Sequence, residues 1–87
     1  MSEKEKAIQV GIEAKQLLEN PILRDAFKTM LDGNYKTWLN TNPEDGETRN
    51  SCYYKQRAIL EFQQTLINVV ENGKILQEEK KQEVSNG

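Results

Sequence analysis

The chain has 87 residues, of which 36% are hydrophobic and 30% charged, with 12 basic and 14 acidic side chains. A chain this short forms one small domain with a thin core, which argues against a deep enclosed pocket and favours stabilisation by oligomerisation. The net charge of −2 gives no overall attraction for nucleic acid or anionic lipid. The chain has no histidine and one cysteine, Cys52, so we expect no internal disulfide, no zinc site and no Ser-His or Cys-His catalysis.

No membrane segment is expected. The longest apolar stretches are a few residues, well short of the roughly 18–20 residues that span a bilayer. The charged N-terminus from Met1 to Lys6 does not lead into the apolar core of a signal peptide. The sequence therefore predicts a cytoplasmic protein that makes no contact with membranes.

The first segment predicts a helix over about residues 3–18. Ser2 and Glu5 match a capping box at its start. Gly11 lies inside this helix, where it either marks a close approach to a neighbouring helix or is a tolerated surface glycine. The apolar positions at helical spacing are Ala7, Val10, Ala14, Leu17 and Leu18.

Two Asn-Pro steps, Asn20-Pro21 and Asn42-Pro43, separate three apolar-periodic segments. The residue before a proline avoids the helical region and proline suits the first helical position, so each step can end one helix and begin the next. The second segment predicts a helix over about residues 21–40 that continues across Asp32-Gly33-Asn34, with a break at this turn-like triplet as the alternative. Its apolar stripe consists of Leu23, Phe27, Met30, Leu31, Tyr35, Trp38 and Leu39.

The third segment predicts the longest helix, over about residues 45–72. This helix begins either at Pro43 with Asn42 as its N-cap, or near Glu47 with Asp45 as its N-cap. Gly73 is predicted to be its C-terminal cap. The polar tail, residues 75–87, is expected to be a frayed helical extension or disordered.

The third helix carries two apolar lines. The predicted core seam consists of Cys52, Ile59, Phe62, Leu66 and Val69. The second line consists of Ala58, Leu60, Ile67 and Val70. Together the two lines are wider than one partner helix covers, which leaves room for the first helix or for a second subunit.

We therefore predict an all-α fold with a three-helix arrangement. Helices at about 21–40 and 45–72 form a long antiparallel hairpin, and the N-terminal helix at about 3–18 packs across it. Residues 1–74 form a single helical domain. The thin core and wide apolar surface predict a homo-oligomer.

The candidate binding site is a cluster of basic and aromatic side chains at the closed end of the hairpin. Its members on the third helix are Arg49, Tyr53, Tyr54, Lys55 and Arg57, and those on the second helix are Tyr35, Lys36 and Trp38. Such a surface suits stacking on a base with neutralisation of phosphate, or anchoring of a protein partner. The alternative is a role in folding, in which Trp38 and a tyrosine close the core and Arg49 pairs with Asp45 or Glu47.

One stretch of sequence resembles a known group of proteins. The run from Leu17 to Phe27, the later Trp38, an acidic turn leading to Arg49 and Tyr53, and the closing Leu66–Gly73 are similar to small, mostly uncharacterised helical proteins of tailed bacteriophages. The resemblance spans roughly residues 13–74 and supplies no catalytic residues. It implies a phage or prophage origin, and hence a bacterial cytoplasm or a virion.

The expected function is stoichiometric binding without catalysis, cofactor or metal. We expect a phage accessory protein that assembles with itself and occupies a host or viral protein. One alternative is a nucleic-acid-binding packaging component similar to a small terminase subunit, whose oligomer gathers many weak basic patches. Another is a sponge that sequesters a host nucleotide signal, using the Arg and Tyr cluster between subunits.

Overall fold

The computed structural model describes residues 2–86. The described chain forms three α-helices: α1 (Glu3–Glu19), α2 (Pro21–Leu39) and α3 (Gly46–Asn86). The all-α prediction and the order of the three helices are confirmed.

The junction between α1 and α2 is made by one residue, Asn20. Its backbone N–H donates to the Leu17 carbonyl at 3.1 Å, which ends α1. Its side-chain Oδ1 accepts from the N–H groups of Ile22 at 2.8 Å and Leu23 at 3.3 Å, which caps the start of α2. The Asn-Pro step therefore ends one helix and begins the next, as the sequence predicts.

The start of α1 and the continuity of α2 also agree with prediction. The Ser2 hydroxyl accepts from the Glu5 N–H at 3.1 Å, which is the capping bond expected there. Helix α2 continues through Asp32-Gly33-Asn34 without a break. The second predicted start of α3 is the observed one, since Asp45 Oδ1 accepts from the Thr48 N–H at 3.0 Å and the helix begins at Gly46.

The prediction of a C-terminal cap at Gly73 is wrong. Helix α3 continues through this residue to Asn86. A capping glycine takes the left-handed conformation, whereas Gly73 has no positive φ and is buried against α1. The segment that we expected to be a frayed extension or disordered thus continues α3 as far as Asn86.

Ion pairs join the end of α3 to the start of α1. Lys4 Nζ lies 2.7 Å from Glu83 Oε1 and 3.4 Å from Glu79 Oε2, and the bond to Glu83 holds the pKa of Lys4 above its ordinary value. Lys80 Nζ lies 3.9 Å from Glu5 Oε1. The carboxylates of these pairs are about half exposed or more, so we expect each pair to add little stability.

The molecule is a single long hairpin in which α1 and α2 form one arm and α3 forms the other. One antiparallel register is kept between the arms, in the contacts of Lys4 with Glu83, Gly11 with Gly73, Phe27 with Phe62, and Asn34 with Cys52. The hairpin of α2 and α3 is confirmed. Helix α1 packs on α3 as well, but it extends the first arm instead of crossing the hairpin, which gives dimensions of 65 × 23 × 18 Å.

The core is a narrow seam between the two arms. On α3 the seam follows a seven-residue spacing through Cys52, Ile59, Leu66 and Gly73. Cys52 and Ile59 are buried as predicted, whereas Phe62 is 54% exposed. Phe62 still packs against the buried Phe27, with ring centroids 5.6 Å apart, so it lies at the edge of the seam and is not the buried core residue that the sequence predicts.

Candidate protein-binding site

Four predicted site residues meet at the closed end of the hairpin, and we call them the aromatic cluster. They are Tyr35 and Trp38 on the last turns of α2, and Arg49 and Tyr53 on the first turns of α3. The tyrosines and Trp38 line a common groove of about 310 Å³. The antiparallel register brings these two short segments together, as the sequence predicts for the hairpin end.

Arg49 holds Trp38 in place. Its Cζ lies 4.5 Å from the centroid of the Trp38 ring, within the range of a cation–π contact. Its Nη1 donates to Thr41 Oγ1 at 3.2 Å, which ties α3 to the turn. Arg49 thus contacts Trp38 and Thr41 rather than the nearby carboxylates of Asp45 and Glu47.

The aromatic side chains remain partly open to solvent. Tyr35 and Tyr53 are 58% and 60% exposed, and Trp38 is 38% exposed. The rings of Tyr35 and Trp38 are stacked, with centroids 6.4 Å apart and an interplanar angle of 21°. These side chains therefore present apolar faces toward solvent.

Asn34 forms the floor of the groove together with Cys52 and Gln56. Its Nδ2 donates to the Cys52 carbonyl at 2.8 Å and to Gln56 Oε1 at 3.1 Å, and the side chain is buried. We did not predict Asn34 as a core residue, because it belongs to a turn-like triplet. Its position seven residues after Phe27 was the signal that places it on the same helix face.

The start of α3 is held by its N-cap. The backbone and side-chain hydrogen bonds with Thr48 hold the pKa of Asp45 below its ordinary value of 3.8. A carboxylate at a helix N-terminus also interacts favourably with the helix dipole. The cap matters for the site because Arg49 and Tyr53 lie on the turns that follow it.

The other four predicted site residues lie apart from the groove. Tyr54 is 69% exposed and packs edge-on against Tyr53, with ring centroids 5.6 Å apart. Lys55 lines a different groove, on the opposite flank of the seam with Phe62. Lys36 and Arg57 are exposed and are not among the residues that line the aromatic groove. The basic side chains are therefore spread around the hairpin instead of gathered with the aromatic ones.

Within the described chain, residues 2–86, no three Cys, Asp or Glu side chains are grouped so that they could hold a metal ion. None of the helices in that range has the length and apolar content needed to cross a membrane. Comparisons with models of protein families, with curated proteins and with solved structures found no match.

Proposed function

We propose that this protein acts by stoichiometric binding of a protein partner, without catalysis, and that the aromatic cluster is the contact surface. The observation that carries the proposal is the set of three aromatic side chains, 38–60% exposed, that line one groove in which Trp38 is held by Arg49. Trp, Tyr and Arg are the residue types most enriched among those that dominate binding energy in protein interfaces.

The order of the cluster supports this proposal. Trp38 is fixed by the guanidinium of Arg49, and the groove floor is fixed by the hydrogen bonds of Asn34. Side chains that are already in place lose less conformational entropy on binding, so more of the contact energy appears as affinity. A rigid aromatic surface of this kind suits an apolar patch on a partner.

The distribution of charge favours a protein partner over nucleic acid or a nucleotide. A site that neutralises several phosphates needs several basic groups on one surface. Here only Arg49 belongs to the aromatic cluster, and its guanidinium is already engaged with Trp38 and Thr41. Lys55 lies on the opposite flank of the seam.

The resemblance of roughly residues 13–74 to small phage proteins suggests the setting in which this binding takes place. We propose that the protein is a phage accessory protein and that its partner is a host or viral protein in the bacterial cytoplasm. Binding through the aromatic cluster does not require this setting.

The experiment is affinity capture from a bacterial lysate with three proteins: the parent, the double variant Tyr35→Ala/Tyr53→Ala, and the control Arg57→Ala. The parent and the control should retain one protein in fixed stoichiometry at both about 50 and about 200 mM salt, and the double variant should lose it. Equal capture by the double variant would rule out the aromatic cluster as the contact. Retention of nucleic acid that the higher salt removes would support the packaging alternative instead.

A further inference from the structure

We propose that a second copy of this chain packs, antiparallel to the first, on the flank of the hairpin that carries Phe62. This flank lies across the seam from the aromatic cluster. The proposal therefore does not depend on the partner that the cluster binds.

We call this surface the Phe62 face. Its line on α3 has spacings of three and four residues and consists of Lys55, Ala58, Phe62, Thr65, Val69 and Asn72. Opposite this line lie Leu23 and Met30 of α2 and Val10 of α1. The two lines enclose shallow grooves of about 370 and 480 Å³, one beside α2 and one beside α1.

The Phe62 face combines exposed apolar side chains with few charges, since the charged side chains that line its grooves are Lys55 and, on α1, Glu3 and Lys6. Phe62, Met30 and Val10 are 54%, 46% and 51% exposed. On α3 the line carries no charge from Ala58 through Asn72 and on to Leu76. The other flank of the same stretch carries Arg57 and Lys74. Depletion of charge at the centre, with apolar and aromatic side chains, is typical of the core of an interface.

The chain exposes more surface than a compact monomer of its mass, as expected for a subunit that covers part of its surface with a partner. The chain exposes 6798 Å², whereas a compact monomer of this mass exposes about 5,300 Å². This excess of about 1,500 Å² belongs to the whole elongated hairpin; for comparison, each partner contributes approximately 800 Å² to a standard interface. The radius of gyration, 18.8 Å, also exceeds the approximately 12 Å expected for a compact domain of this length.

A second hairpin is the occupant that matches this face in shape. Two helices side by side form a single layer, and stable helical domains pack a second layer against the first. A copy of the same hairpin has the same length as the face and would complete a four-helix bundle. A two-fold contact brings the same surface of both copies together, so that surface must complement itself. An apolar line without charge on α3 meets this requirement.

The charges at the two ends of the face determine the orientation. Lys55 lies at the closed end and Glu79 at the open end of the same α3 line, and the Glu79 side chain remains 53% exposed beside Lys4. A two-fold axis that crosses α3 between Thr65 and Val69 places Lys55 of one copy opposite Glu79 of the other. A parallel arrangement would place Lys55 against Lys55, which is repulsive.

Sedimentation equilibrium from about 1 to about 100 µM tests the surface, because mass action makes dimerisation depend on concentration. The parent should approach about 20 kDa, twice the 10.1 kDa of the chain. Met30→Glu on the Phe62 face should remain a monomer, while the matched control Leu60→Glu, on the other flank, should still dimerise. Circular dichroism must show that both variants retain their helices. A parent that stays at 10 kDa, or a dimer lost through Leu60→Glu but not Met30→Glu, would overturn the proposal.

Crosslinking tests the orientation. In the antiparallel dimer Thr65 lies near the two-fold axis and Ala58 lies far from its equivalent, so a short bismaleimide should link Thr65→Cys dimers and not Ala58→Cys dimers. The parent, whose Cys52 is buried, is the control. Efficient linkage through Ala58→Cys would show a parallel dimer and contradict this arrangement.

Discussion

Gly11 and Gly73 mark the point where the backbones of α1 and α3 touch: a Cβ added to either glycine would lie 2.9 Å from the Cα of the other. A Cβ on Gly11 would also lie 3.2 Å from the Val69 carbonyl oxygen. Both obstacles are backbone atoms, so they cannot move aside as a side chain can. The close approach that Gly11 suggested in the sequence is therefore present, and it requires glycine on both helices.

The first prediction compares Gly11 with Gly33, a glycine of α2 that has open space around its Cα. Gly33→Ala should raise the free energy of unfolding by about 0.5–1 kcal/mol, because alanine is the better helix former. Gly11→Ala should lower it despite the same gain in propensity, because α1 must move away from α3. Urea denaturation measures both. Equal stabilisation by the two substitutions would show that α1 is not seated on α3 in solution.

The second prediction concerns the seam. Ile59→Ala, at a position that is only 5% exposed, should cost about 2–5 kcal/mol. Phe62→Ala should cost less in dilute protein, because half of this side chain is already in solvent. If Phe62 lies in a dimer interface, the melting temperature of Phe62→Ala should fall further below that of the parent as the protein concentration rises. The difference between Ile59→Ala and the parent should not depend on concentration. Thermal melts at low and high protein concentration provide the comparison. If neither difference in melting temperature changes with concentration, Phe62 does not lie in an interface.

The third prediction concerns the buried amide of Asn34. Asn34→Asp places a carboxylate against the Cys52 carbonyl and the Gln56 amide oxygen, where the parent has an N–H donor. Burial and the facing oxygens should raise the folded-state pKa of the new Asp above its unfolded value of about 3.9. The variant should therefore gain stability, relative to the parent, as the pH falls from about 7 to about 4. A pH-independent difference would mean that residue 34 is hydrated.

The fourth prediction separates two arginines that the sequence grouped together. Arg49→Ala should lower the melting temperature, because it removes the contacts with the Trp38 ring and Thr41. Arg57→Ala should leave the melting temperature nearly unchanged, because the side chain is exposed. Trp38 fluorescence offers a second measurement, since only Arg49→Ala removes a group from the indole face. Identical behaviour of the two variants would contradict the proposed role of Arg49.

The fifth prediction follows from the lowered pKa of Asp45. The folded-state pKa of Asp45 lies below its unfolded-state pKa. The cap therefore contributes its full stability at pH values well above the unfolded-state pKa, and it loses this stability as the pH falls through the folded-state pKa. Asp45→Asn keeps an acceptor oxygen but does not titrate. The melting temperature of the parent minus that of the variant should therefore decrease between about pH 7 and about pH 2.5. A pH-independent difference would mean that the capping bond does not depend on the charge of the carboxylate.

The number and order of the helices were predictable because their signals are local. Asn20 caps through its own side chain, and Asp45 does so at the start of α3. The end of α3 was not predictable from Gly73, because the same residue type serves as a helix cap or as a site of close helix approach. Only the position of Gly11 on the facing helix decides between these roles.

The candidate site was predictable in part, because the hairpin connection determines which helix ends lie together. A hairpin brings the last turns of α2 to the first turns of α3, so Trp38 and Arg49 could be placed together. Which flank of the seam each side chain occupies depends on the rotation of each helix about its axis. That rotation separates Lys55 from Tyr53, although the two are close in sequence.

The shared register of the two arms also has a consequence for the order of folding. Arg49 and Trp38 meet after closing a short loop, whereas Lys4 and Glu83 are 79 positions apart in the chain. Because loop-closure entropy grows with separation, pairing should start at the turn before α3 and zip toward the chain ends. Helix α1 should then dock last and open first. Native-state hydrogen exchange should find faster exchange in α1 and the end of α3 than in α2.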